Sequence, residues 1–143
     1  MNKLYLSFLI SSLALVSHES QAIKTLADCQ AKDSTLEEYS MCLDRVKERV
    51  DRELQTWVNN QTFELEELAA KSGRKAPLNM FKRSQKNFIT YRENNCRWQY
   101  LATPPSSEEG AVAYKSCHIF LNQNRIKELS IQSIPENNKQ KDF

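Results

Sequence analysis

The sequence predicts an all-α protein, a small disulfide-stapled helical hairpin or bundle with one long N-terminal helix and two further helices. Three observations predict it. Apolar residues recur at steps of three and four over long stretches, as an amphipathic helix requires, and no run alternates apolar with polar as a half-buried strand would. Only two glycines, Gly73 and Gly110, occur in 143 residues, and each is expected where a long periodic segment stops. Four cysteines offer covalent clamps to a chain too short to build a large core.

The chain opens with Lys3, an apolar run from Leu4 to Val16, and a polar stretch that ends in Ser20-Gln21-Ala22. This is the anatomy of a signal peptide, with small residues at the two positions a signal peptidase reads before a cut after Ala22. The apolar run falls short of the roughly 20 residues a membrane-spanning helix needs. No cysteine stands at the cut to carry a lipid, so no stable membrane anchor is expected. Residues 1–22 therefore read as a signal peptide, 23–130 as the helical domain and 131–143 as a disordered C-terminal tail, in which the stretch from Pro135 to Phe143 has no apolar period.

The first long helix is expected over about 35–71. Ser34 or Thr35 can cap it, with Glu37 or Glu38 completing a capping box. Leu36, Tyr39, Leu43, Val46, Val50, Leu54, Trp57, Leu65 and Leu68 form its apolar stripe, broken by one gap around Gln61. The second helix starts near Pro77, a residue tolerated in a first turn, and runs to about Leu101, where Thr103-Pro104-Pro105-Ser106-Ser107 breaks it. Leu78, Phe81, Phe88, Ile89 and Cys96 mark its stripe. The third helix is expected from near Gly110, with Tyr114, Cys117, Leu121 and Leu129 on one face and Val112, Ile119 and Ile126 on another, which suits a helix packed on two sides.

Cys29, Cys42, Cys96 and Cys117 all lie beyond the signal peptide, and an exported chain meets an oxidising compartment. Four cysteines permit three connectivities; Cys29–Cys42 with Cys96–Cys117 is favoured because each closes a local loop between neighbouring elements. A loop of about 15 residues stabilises by roughly 3 kcal/mol in the chain-entropy picture. A metal site would need closer Cys or His pairs than these.

Several polar residues stand where apolar ones are expected. Gln85 and Arg92 lie within the stripe of the second helix, Gln61 in the gap on the first, and Arg125 between Leu121 and Leu129 on the third. An arginine carried inward must find a carboxylate or several carbonyls. Glu53 and Glu64, at the edge of the first helix's stripe, are the expected partners of Arg92. The seam reads either as an internal network fixing helix register, which is favoured, or as a binding cleft. The connector Thr103 to Glu109, with Pro104, Pro105, Ser106, Ser107, Glu108 and Glu109, is a candidate partner contact, because the flanking cysteines would staple it and lower its ordering cost. Phe63, opposite the first stripe, is a lesser candidate.

Phe81, Ser84, Gln85, Phe88, Tyr91, Arg92, Asn95 and Cys96, followed by Cys117, Arg125 and Leu129, resemble the signature of the LprI-like lysozyme-inhibitor family. The resemblance extends over about residues 29–130. Cys29 and Cys42 match the cysteine pair that precedes a long helix in that family, and Gln85, Phe88, Tyr91, Arg92 and Cys96 match its central motif residue by residue. The resemblance implies a periplasmic or secreted helical domain that binds and inhibits a protein partner, a lysozyme or another wall-active enzyme. An immunity-like or envelope accessory role toward a different toxin or enzyme is the alternative.

Catalytic readings have little support. His118 is the only histidine beyond the signal peptide, so no Ser-His-Asp set or multi-histidine metal site can be assembled, and no cofactor motif occurs. A cell-wall hydrolase built on paired carboxylates has no pair that stands out among so many acidic residues. A net charge of +2 argues for neither nucleic acid nor an anionic membrane as partner. A long rod in so small a chain leaves apolar surface that a second copy would cover, so a homodimer is a further expectation.

Overall fold

A computed structural model describes residues 26–30, 35–104 and 107–132. The signal-peptide segment 1–22, Ser34, Pro105, Ser106 and the segment 133–143 lie outside the described residues. A short 3-10 turn, Ala27–Cys29, is followed by three helices, α1 (Leu36–Ser72), α2 (Ala76–Ala102) and α3 (Ser107–Gln132).

Helix α1 is 37 residues long, on the order of 55 Å at 1.5 Å per residue. A full capping box starts it: the Thr35 hydroxyl accepts from the Glu38 backbone N–H at 3.2 Å, and the Thr35 N–H donates to the Glu38 carboxylate at 2.9 Å. Gly73 ends it at φ 72°, a left-handed conformation, with its N–H donating to the Ala69 carbonyl at 2.9 Å. Pro77 stands in the first turn of α2, where its missing N–H costs nothing.

Two expected boundaries are corrected. Helix α3 begins at Ser107 rather than near Gly110, with Glu108 and Glu109 in its first turn, where carboxylates favour the positive end of the helix dipole. Gly110 is therefore no breaker. It is buried inside the helix, and a Cβ there would stand 3.0 Å from the Tyr100 ring of α2, so its lack of a side chain lets the two helices close together at their turn. Helix α3 also continues to Gln132, two residues into the stretch read as tail.

Helix α3 is the centre of the molecule: it packs against both α1 and α2, which touch each other far less. On the α1 side, Leu43, Val46 and Val50 bury against Ile119, with the Cys29–Cys42 disulfide closing the cluster and Leu26, Tyr39, Val112 and Ile126 at its edge. The second disulfide, Cys96–Cys117, ties α2 to α3. The α2 stripe differs from expectation at Ile89, which is 44 % exposed and lines open space beside Val58 and Thr62 of α1.

Candidate functional site

One stripe of α3 carries Tyr114, His118, Asn122, Arg125 and Leu129, spaced by four, four, three and four residues, so that one face of the helix turns polar groups inward. His118, Asn122 and Arg125 are all buried. Asn122 is the bridge among the three helices: its amide donates to Asp51 of α1 at 2.6 Å and its carbonyl oxygen accepts from Arg92 of α2 at 3.0 Å. Arg92 also donates to Glu93 at 3.0 Å, and Glu93 accepts from the Tyr114 hydroxyl at 2.8 Å. Lys47 completes the α1 side by pairing with Asp51 at 2.9 Å.

One turn further along, Arg125 donates to Gln85 and Ser84 of α2, each at 3.3 Å, and to Glu128 at 2.8 Å. The Phe88 ring lies between the two guanidinium groups, 5.9 Å from Arg92 and 5.7 Å from Arg125. Such cation–π contacts contribute about 0.5–2 kcal/mol each, depending on desolvation.

The electrostatics follow from this crowding. Burial pushes the His118 imidazole down, and the cations Arg92 and Lys47 push it further, outweighing Asp51 and Glu93, so that it protonates only at about pH 4 instead of 6.5. At neutral pH the ring is uncharged. Nδ1 stands 3.5 Å from the Asn122 amide nitrogen and 3.6 Å from the Asp51 carboxylate, and Nε2 stands 3.5 Å from Glu93, so each ring nitrogen faces a carboxylate. Burial raises the Glu93 carboxyl, but hydrogen bonds from Tyr114 and Arg92 and the charge of the guanidinium prevail and hold it below its ordinary value. Tyr114 is raised by burial and by donating to that carboxylate. A glycosidase acid needs a raised carboxyl. Glu93 moves the other way, so this cluster is built to stay ionised and paired.

The structure brings Gln85, Arg92 and Arg125 together at the α2–α3 interface. It does not bring Glu53 and Glu64 to Arg92: both are exposed on α1, because α3 rather than α1 packs against that part of α2. Arg92 is met instead by its sequence neighbour Glu93 and by Asn122, and the α1 carboxylate that turns inward is Asp51. Gln61 is half-buried on α1. Asp51, Glu93 and Asn122 do not stand out in the sequence, Tyr114 reads there as part of an apolar face and His118 only as a catalytic candidate without partners, although the regular spacing on α3 carries the signal of a shared polar stripe. The Arg92 Nε is buried without a hydrogen-bond partner.

The connector expected at Thr103 to Glu109 is shorter than read. Ser107, Glu108 and Glu109 belong to α3, with the two glutamates exposed, and Pro104 is exposed ahead of the undescribed pair. Phe63 stands 63 % exposed. Between α1 and α2, an open furrow runs from Lys47, Arg92 and His118 to Val58 and Phe81, with Gln85 and Ile89 lining it throughout. No helix among the described residues is long and apolar enough to cross a membrane.

No curated protein and no solved structure matches the chain. A family profile described as Lysozyme inhibitor LprI matches residues 27–129, from the first 3-10 turn through Leu129 at the inner face of α3. Both disulfides, the α2 motif around Arg92 and its partner stripe on α3 fall within that match, and the chain belongs to the LprI lysozyme-inhibitor family.

Proposed function

We propose that the mature protein is an exported inhibitor that binds a lysozyme, and that the end of the α1–α2 hairpin enters the enzyme's substrate cleft. Family membership supports the activity. The observation that carries the choice of surface is the charge left unpaired at that end. Arg74 and Lys75 lie in a turn whose residues 71–76 are all exposed, and Arg83 and Lys86 are exposed early in α2. None of the four has a carboxylate partner among the described residues, since Glu66 and Glu67 already pair with Lys82 at 3.2 Å and Lys71 at 3.3 Å. A lysozyme works with paired carboxylates flanking the scissile bond, and cations on a narrow, exposed turn are complementary to such a cleft. The apolar leader with its cut after Ala22 fits the same reading, because export allows both disulfides to form.

The test is lysis of a cell-wall suspension by lysozymes of several structural classes, with and without the purified, oxidised mature chain. Slower lysis by at least one lysozyme is expected. Unchanged rates at a large molar excess over every lysozyme would remove the inhibitor reading, and lysis by the protein alone would replace it with a hydrolase.

A further inference from the structure

The outward face of α2 carries a shallow depression lined by Asn87, Thr90, Tyr91, Asn94, Asn95 and Trp98. Tyr91 and Trp98 are 57 % and 58 % exposed, and no charged side chain lines the depression, in a chain of which 27 % of residues are charged. We propose that this face binds a neutral oligosaccharide of β-linked N-acetylhexosamine units.

The chemistry of the lining selects the ligand. Pyranose rings present apolar C–H faces that stack on aromatic rings, while their hydroxyl and acetamido groups need partners that both donate and accept. The amides of Asn87 and Asn94 supply both, and Thr90 adds a hydroxyl. The absence of charge removes attraction for anionic polymers. Spacing agrees: Tyr91 and Trp98 are seven residues apart on a continuous helix, about 10 Å along its axis and so the length of a disaccharide. The two rings thus offer stacking points one disaccharide repeat apart.

The platform is also held in place. The Trp98 indole N–H donates to the Asn95 carbonyl oxygen at 3.3 Å, and the Asn95 amide donates at 3.6 Å to Cys117 Sγ in the disulfide that joins α2 to α3. An aromatic ring positioned before binding loses little freedom when a ligand stacks on it. Within the depression the side chains beside the two rings are amides and a hydroxyl, which can hydrogen-bond a hydrated sugar.

The proposal does not rest on lysozyme inhibition. It is tested by titrating the mature protein with the tetramer of N-acetylglucosamine, following tryptophan emission and, in parallel, calorimetric heat. Expected are a saturable emission change and affinities about tenfold weaker in both Trp98→Ala and Tyr91→Ala, the loss of one stacking ring in each. Both variants should keep the wild-type thermal melt, since both side chains are exposed. An absence of saturable heat at millimolar tetramer, or undiminished heat in Trp98→Ala, would overturn it. Self-association of the wild type that Trp98→Ala abolishes would assign the face to a second copy of the chain instead.

Discussion

His118 illustrates how burial sets the behaviour of a single residue here. The folded imidazole protonates at about pH 4, whereas in the unfolded chain it does so near 6.5. Between those values the unfolded state binds more protons, so stability is full above pH 6.5 and falls as pH drops toward 4. Glu93, lowered from 4.5, adds to the loss in the same direction at the acid end of that window. The His118 share is on the order of 3 kcal/mol. Urea midpoints measured from pH 7 to pH 4 should fall steeply in the wild type and less steeply in His118→Gln; parallel curves would assign the acid sensitivity to other groups. Arg92→Ala removes the charged donor from Glu93 and Asn122 and should cost about 2 kcal/mol in stability. A variant that folds with wild-type stability yet no longer binds its partner would make Arg92 a contact residue instead. Arg92 was legible in the sequence as a buried cation, but its partners were not, because they lie on a helix 30 residues away and on its own next residue.

At the scale of the element, α1 was the most legible part of the chain. The Thr35–Glu38 capping pair and Gly73 are local signals that do in the structure what their chemistry dictates, and the stripe is buried from Leu43 to Leu54, whereas Trp57 and Leu65 are half-buried and Leu36 and Leu68 exposed. Gly73→Ala forces a Cβ into a left-handed conformation and should cost about 1–2 kcal/mol, read as a lower melting temperature with unchanged helical content. The start of α3 was misread because a helix-interior glycine and a terminal glycine look alike until the neighbouring Tyr100 ring is in place. The polar face of α3 was missed for a related reason. Its periodicity was as regular as the apolar one, but a polar stripe ordinarily faces water, and only the presence of helices on both sides turns it into an interior.

The whole molecule is a thin scaffold in which two interfaces of different character meet on one helix. Apolar packing joins α1 to α3, and a hydrogen-bonded seam with a disulfide joins α2 to α3. Each disulfide closes a loop whose removal should cost about 3 kcal/mol. Against a typical domain stability of about 5–15 kcal/mol, loss of both leaves little margin. Replacing Cys96 and Cys117 by alanine should therefore lower the thermal midpoint sharply, and reduction of the remaining Cys29–Cys42 bridge should broaden or abolish the transition in calorimetry. The scaffold leaves its cationic turn at the far end of the hairpin, remote from the Cys29–Cys42 bridge, which makes charge at that turn separable from folding. Insertion of the cationic turn into a lysozyme cleft is decided by the calorimetric affinity of the oxidised protein for a lysozyme it inhibits, compared with that of the double variant Arg74→Glu, Lys75→Glu. The variant should melt like the wild type and bind at least about tenfold more weakly, the loss expected when charge complementarity is reversed at a contact; equal affinities would place the contact elsewhere on the molecule.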